Sequence, residues 1–196
     1  MSNVTGKIVV LASARRRRRD ARQATHQLRD LGAVVVDVGV GGTIDDMRSL
    51  AVELLARERR VDVLVHLGAR RDFEGAVVRP YLLTRLLGDR VAESRGRVLW
   101  SVASAHRTAS FGADSGPAHQ LARALLVHEW FRRDDRVGTA SFEDAVSLVY
   151  LCGNDEQLRG GHFVKGGRVA DAPAAIDATC ATMVWERCAS DTRLAP

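Results

Sequence analysis

Apolar residues in this chain come in short unbroken runs, separated by longer stretches where they recur every three or four positions. The runs at 7–11 (KIVVL), 33–37 (AVVVD), 61–66 (VDVLVH) and 97–103 (RVLWSVA) are too continuous for strands with one wet face and predict buried strands. Between them, Met47, Leu50, Ala51, Leu54 and Leu55 mark one face of a helix over 45–59. Helices are also predicted over 20–31, closed by Gly32, and over 80–94 and 115–131, where Pro80 and Pro117 stand near the first turns. Ser141, with Asp144 three residues on, predicts the N-cap and capping box of another helix. Short strands at 136–140 and 161–165 and a C-terminal helix over 173–189 complete the reading. Strand and helix alternate throughout, which predicts an α/β protein with a parallel sheet covered on both faces and right-handed crossovers.

Composition adds bounds. The 196 residues are 46% hydrophobic and 27% charged, enough for one domain with a real core. No run of 18 apolar residues is present, so no membrane span is expected, and residues 1–11 lack the order of a secretion signal. Cys152, Cys180 and Cys188 are odd in number and form no CxxC pair, which argues against a disulfide framework and a structural zinc site and fits a reducing cytoplasm. His66, His106, His119, His128 and His162 form no metal-ligand spacing, so no metal is expected. The net charge of +5 hides an asymmetry: only Lys7 and Lys165 are lysines, and the rest of the 29 basic residues are arginine. The 24 acids nearly balance them, and no nucleic-acid-reading motif accompanies them, so a nucleic-acid partner is not expected. One feature stands apart, the unbroken run from Arg15 to Arg19. It is open to three readings: a solvated helix entrance, a patch facing an acidic protein, or an anion site rebuilt from side chains.

The order of the pieces resembles the short-chain dehydrogenase/reductase family. Thr5-Gly-Lys-Ile-Val-Val-Leu11 is similar to its opening strand, and Asp30-Leu-Gly-Ala-Val-Val-Val36 to the end of its first helix and the next strand. Arg60-Val-Asp-Val-Leu-Val-His-Leu-Gly-Ala69 is similar to the strand that normally ends in Asn-Asn-Ala-Gly, and Gly96-Arg-Val-Leu-Trp-Ser101 to the strand leading to the catalytic serine. Leu121-Ala-Arg-Ala-Leu125 resembles the helix after the Tyr-x-x-x-Lys motif. The stretch from Ser141 to Asp155 and the segment GGHFVKGG at 160–167 resemble the late helix and last strand. The resemblance implies a truncated Rossmann-like doubly wound parallel sheet of about six strands. It divides the chain into a domain over 1–168 and a helical extension over 169–196.

The family's functional motifs are missing. The turn after the first strand, where glycines let the backbone approach a dinucleotide pyrophosphate, contains none; Ser13, Arg17 and Arg19 stand there instead. Counting back from Leu121 puts the motif's tyrosine at Phe111 and its lysine at Ser115. Neither can do that proton chemistry. The catalytic serine falls at Ala103 and the structural asparagine near Ala76. Between Gly32 and Asp62 only one strand and one helix fit where the family has two such units, and the stretches 69–80 and 131–141 are shortened too.

The resemblance therefore implies a non-catalytic chain without cofactor that pairs with and supports an active homologue through the helix 115–131, the family's subunit-interface helix. Such inactive companions accompany oxidoreductases in aminocoumarin-type antibiotic pathways, and an acidic carrier protein is a further candidate partner. The alternative is a cofactor-independent cyclase, dehydratase or epimerase on this scaffold. His66 at a strand end, Asp114, Ser101 and Ser104 are its weak candidates. Asp37 could meet a ribose hydroxyl, or be a loop acid. Val127, Trp130, Phe131, Ile176, Met183, Val184 and Trp185 could be core or subunit interface.

Overall fold

A computed structural model of the chain describes residues 4–13, 18–68, 72–103, 115–154, 162–170 and 177–195. Along it run β1 (Ile8–Ser13), α1 (Arg18–Asp30), β2 (Val34–Gly39), α2 (Ile44–Arg57), β3 (Val63–Leu67), α3 (Arg79–Glu93), β4 (Arg97–Ser101), α4 (Gly116–Arg133), β5 (Gly138–Phe142), α5 (Ala145–Gly153), β6 (His162–Lys165), β7 (Arg168–Ala170) and α6 (Ala178–Thr192). A π-helical turn, Glu74–Val78, leads directly into α3. The strands form one sheet in the order β2-β1-β3-β4-β5-β6-β7. Every neighbouring pair from β2 to β6 is parallel, and β7 alone is antiparallel.

The continuous apolar runs have a simple cause: both faces of the sheet are covered. Val10, Ala12, Leu64, Val98 and Trp100 point to one face, against α2, α3 and α4. Val9, Leu11, Val63, Val65 and Leu99 point to the other, where Ala24 and Leu28 of α1 and Leu148 and Leu151 of α5 meet them. A residue pointing either way along β1 or β3 is therefore buried, so alternation vanishes from the sequence. Gly96 sets the approach of β4, because a Cβ there would lie 2.5 Å from the Val61 carbonyl oxygen.

Three details differ from the expectation. The sheet has seven strands, because the chain turns back after Lys165 through Gly166 and Gly167, both at positive φ, and adds β7. Ser141 is a buried residue of β5 and not a helix cap; α5 starts after Asp144, whose side chain accepts from the Ser147 N–H. The C-terminal helix begins at Ala178, capped by Asp177, while residues 171–176 lie outside the described part. Between Gly32 and Asp62 the chain forms one strand and one helix, β2 and α2, as the spacing predicts.

α6 forms a fourth layer. It lies on α4, so Ala122 to Val127 are buried between the sheet and the chain's own C-terminal helix. Trp130 of α4, Trp185 of α6 and Tyr81 of α3 meet edge to face, with ring centroids 5.1–5.9 Å apart. Val127, Trp130, Val184 and Trp185 are thus core residues of this chain, while Met183 points outward, 52% exposed. Phe131 lies in α4, and Ile176 outside the described residues. Trp185→Ala is expected to cost about 3–5 kcal/mol in equilibrium urea unfolding. Met183→Ala should stay within about 0.5 kcal/mol.

Candidate functional site

Doubly wound sheets place ligands beyond the C-terminal strand ends, where consecutive connections diverge to opposite sides. Here that point lies between β1 and β3. Ser13 ends β1, His66 and Leu67 end β3, and Ser101 ends β4.

The groups at these ends are turned inward. Ser13 is buried, and its carbonyl accepts from the Val40 N–H at 2.9 Å. Ser101 Oγ accepts from the Gly68 N–H at 2.7 Å. His66 is 1% exposed and tilts against the Trp100 ring at 4.5 Å. Its Nε2 is 2.7 Å from Thr84 Oγ1, and that hydroxyl in turn donates to the Pro80 carbonyl at 2.8 Å. The Thr84 proton being so used, Nε2–H must donate, which leaves Nδ1 bare; Nδ1 is buried without a hydrogen-bond partner among the described residues. Burial first, and the charge of Arg123 second, hold the imidazole pKa well below its usual range. The ring is a neutral core group out of reach of a substrate proton.

Arg123, a residue that sequence reasoning passed over, organises this region. Its side chain is wholly buried in α4. Nε donates to the Ser101 carbonyl (3.0 Å), Nη1 to Ala76 (2.8 Å) and Nη2 to His66 (2.9 Å), and the guanidinium lies 5.1 Å over Trp100. Nothing in the sequence flagged it, because in a chain so rich in arginine a helical one reads as a solvated residue.

A glycine-rich loop does exist, but after the second strand. Gly39, Gly41 and Gly42 lead from β2 into α2. That helix N-terminus is closed by its own acid. Asp46 accepts from the Thr43 N–H (2.6 Å) and hydroxyl (3.0 Å), and Thr43 accepts from the Asp46 N–H (3.2 Å). The Thr43 backbone bond holds the Asp46 carboxyl below the usual carboxylate range. Gly42 has φ +90°, and a Cβ there would collide with that carboxylate. An anion arriving at this helix start would meet a negative group in the place of free N–H donors.

The remaining candidates scatter. Ser115 is the N-cap of α4, its hydroxyl accepting from the Ala118 N–H at 3.3 Å. Ala76 is buried in the π-helical turn, and Ala103 follows β4 with its N–H bonded to Gln120 Oε1. Asp37 is exposed in the edge strand β2. His119 is buried beside Phe73, His128 is half-buried on α4 and His162 opens β6. Arg19 falls in the first turn of α1. Arg17, Ser104, His106, Phe111 and Asp114 lie outside the described residues. Among the described residues no three His, Cys, Asp or Glu converge as a metal site, and no helix is long and apolar enough to cross a membrane. Burial pushes the Cys152 and Cys188 thiols up to about 12, far from nucleophilic readiness.

No protein-family model and no curated protein sequence matches the chain. Solved structures do. A short chain dehydrogenase from Shigella flexneri superposes with a TM-score of 0.71 at 12% identity, over 87% of this chain and 97% of that one. A putative short chain dehydrogenase from Shigella flexneri 2a, complexed with NADP, gives 0.70 at 13% identity, over 86% and 100%. A short-chain dehydrogenase/reductase family oxidoreductase from Brucella ovis, with a partially ordered NAD, gives 0.65 at 14% identity, over 82% and 99%. The fold is that of the short-chain dehydrogenases. At these identities the likeness is one of architecture: the mostly parallel seven-stranded sheet with flanking helices.

Arg123→Ala, which strands three buried carbonyls, is expected to destabilise the short-chain-dehydrogenase-like core by roughly 3 kcal/mol or more in urea unfolding. His66 gives a pH test. Above about pH 6.5 the imidazole is neutral in folded and unfolded chains alike. As pH falls below that, the unfolded chain takes up a proton that the buried ring refuses, so stability drops by up to about 1.4 kcal/mol per pH unit. Unfolding curves between pH 7 and 5 should show His66→Gln losing that part of the slope.

Proposed function

We propose that this chain is a non-catalytic short-chain-dehydrogenase-like subunit that pairs with and supports an active oxidoreductase of the same fold, in the manner of the companion subunits of antibiotic and other secondary-metabolite pathways. The observation that carries the reading is Ser115. At Ser115, the position that the resemblance sets against the family's lysine, this chain has the N-cap of α4, its hydroxyl spent on the Ala118 N–H. The helix therefore starts after the Tyr-x-x-x-Lys position instead of presenting it.

The surroundings agree with it. Ala76 and Ala103 carry no group that could relay a proton or polarise a carbonyl. The residues present do not fit a nicotinamide dinucleotide: no glycine follows β1, and the glycine loop after β2 is filled by Asp46. His66, the leading candidate of the cofactor-independent alternative, is packed in the core and bonded to Thr84.

The partner reading takes a specific form on this fold. The helix 115–131 was the expected contact, and α6 covers it. Pairing with an active homologue in the proposed complex therefore involves either displacement of α6 or contact through its outer face. That face presents Thr179, Met183, Glu186, Arg187 and Ser190, polar but for one methionine.

Calorimetric titration with NADPH and NADH is expected to give no saturable heat. Co-expression with an intact short-chain dehydrogenase encoded beside this chain is expected to yield a complex in which that enzyme is more active or more stable. Saturable nucleotide binding coupled to carbonyl reduction would overturn the reading, and so would a fully active neighbour that never co-purifies with the chain.

A further inference from the structure

A groove of about 620 Å³ opens at the opposite end of the fold, between the C-terminal ends of α3 and α4 and the flank of α6. Its size is that of a small-molecule site. Trp130 and Trp185 form part of its wall, with Arg85 and Gly88 of α3 beside them.

Two features of the groove lack an explanation in folding. The first is Gly88, inside a 15-residue helix, where glycine is less stable than alanine. A Cβ at Gly88 would meet no atom within 4 Å, so no neighbour demands its absence. Any longer side chain would instead enter the groove. The second is Arg85. The other lining arginines are committed to acids: Arg133 to Glu129, and Arg136 to Asp134 and Asp89. Among the described residues no carboxylate pairs with Arg85. It donates to the Tyr81 hydroxyl at 3.1 Å and lies 5.4 Å over the Trp185 ring. With one nitrogen on the Tyr81 hydroxyl and its plane over Trp185, Arg85 keeps donors that no carboxylate among the described residues takes in an ion pair, although its charge helps to lower the Asp134 carboxyl; such donors can receive an oxyanion.

We propose that this groove binds a small monoanionic carboxylate with a compact apolar body, the carboxylate on Arg85 and the body in the space above Gly88 against Trp185. The charge balance admits no more than a single negative charge. Asp89, Asp134 and Asp135 line the groove beside the three arginines, and α4 ends there with its carbonyl pole. Arg85, the lining arginine outside an ion pair among the described residues, can compensate one charge at most, and a dianion would face the acids uncompensated. This site is independent of the proposed companion role and of the strand-end crevice.

The test uses the full chain labelled with nitrogen-15 and follows its three indole N–H resonances, one for each tryptophan. The probes are benzoate, benzamide and phenyl phosphate. Benzoate is expected to shift the Trp130 and Trp185 signals saturably and leave that of Trp100, a residue of β4 under Arg123 and outside the groove wall, in place. Benzamide and phenyl phosphate should bind at least about tenfold more weakly. Arg85→Gln should weaken benzoate by about tenfold or more. Gly88→Leu should abolish binding while leaving the unfolding temperature unchanged or raised, which separates a lost site from a lost fold. Absence of saturable shifts up to about 10 mM benzoate would overturn the proposal. Benzamide or phenyl phosphate binding as tightly as benzoate, or undiminished binding by the Gly88→Leu protein, would do the same.

Discussion

The guanidinium of Arg123 ties together the parts that decide what this protein can do. It leaves α4, crosses to the sheet and donates to the ends of β3 and β4 and to the π-helical turn before α3. A buried cation is tolerable only when its donors are satisfied and its charge is spread. Three carbonyls and the face of Trp100 supply that here. The cost is positional: carbonyls that could have faced a ligand at the strand ends point to Arg123 instead. Its charge, with burial, also keeps His66 neutral.

The same inward turn recurs across that end of the sheet. Asp46 closes the start of α2, Ser115 the start of α4, and Ser101 Oγ is held by the Gly68 N–H. Each bond stabilises the fold locally and each removes a donor or acceptor that chemistry would need. The architecture is like that of the short-chain dehydrogenases, and with its polar groups spent on structure the function we propose is association and not turnover. The groove at the far end has the reverse character: among the described residues no carboxylate forms an ion pair with Arg85, and Gly88 holds space open.

α6 changes the meaning of the C-terminal stretch. Trp185 and Val184 complete a core with Trp130 and Tyr81, and Arg133 lies 4.9 Å over the Trp185 ring. A helix that would otherwise present an apolar flank is covered within one chain. Any association surface in this region is the solvated outer side of α6 unless that helix moves.

The elements were largely legible because continuous apolar runs and helical spacing are local consequences of a sheet buried on both faces. Where the reading slipped, the local signal was ambiguous. Ser141 and Asp144 both suit a helix start, and only the pairing of Ser141 with Trp100 and Phe163 assigns it to β5. The large apolar residues of α4 and α6 pack equally well in a core or an interface by composition, and only their contact with each other decides it. Of the candidate site only residue types were legible, since the presence or lack of a glycine or hydroxyl at a position is visible in one dimension. The sequence by itself determined the layering and the parallel sheet, because both depend on residue type and spacing along the chain. Tertiary structure alone decided that Arg123 is buried among carbonyls, that Asp46 fills the glycine loop and that Arg85 donates to the Tyr81 hydroxyl and, among the described residues, forms no ion pair with a carboxylate. Those outcomes depend on which charges the fold brings within hydrogen-bond reach, and that distance is not written in sequence separation.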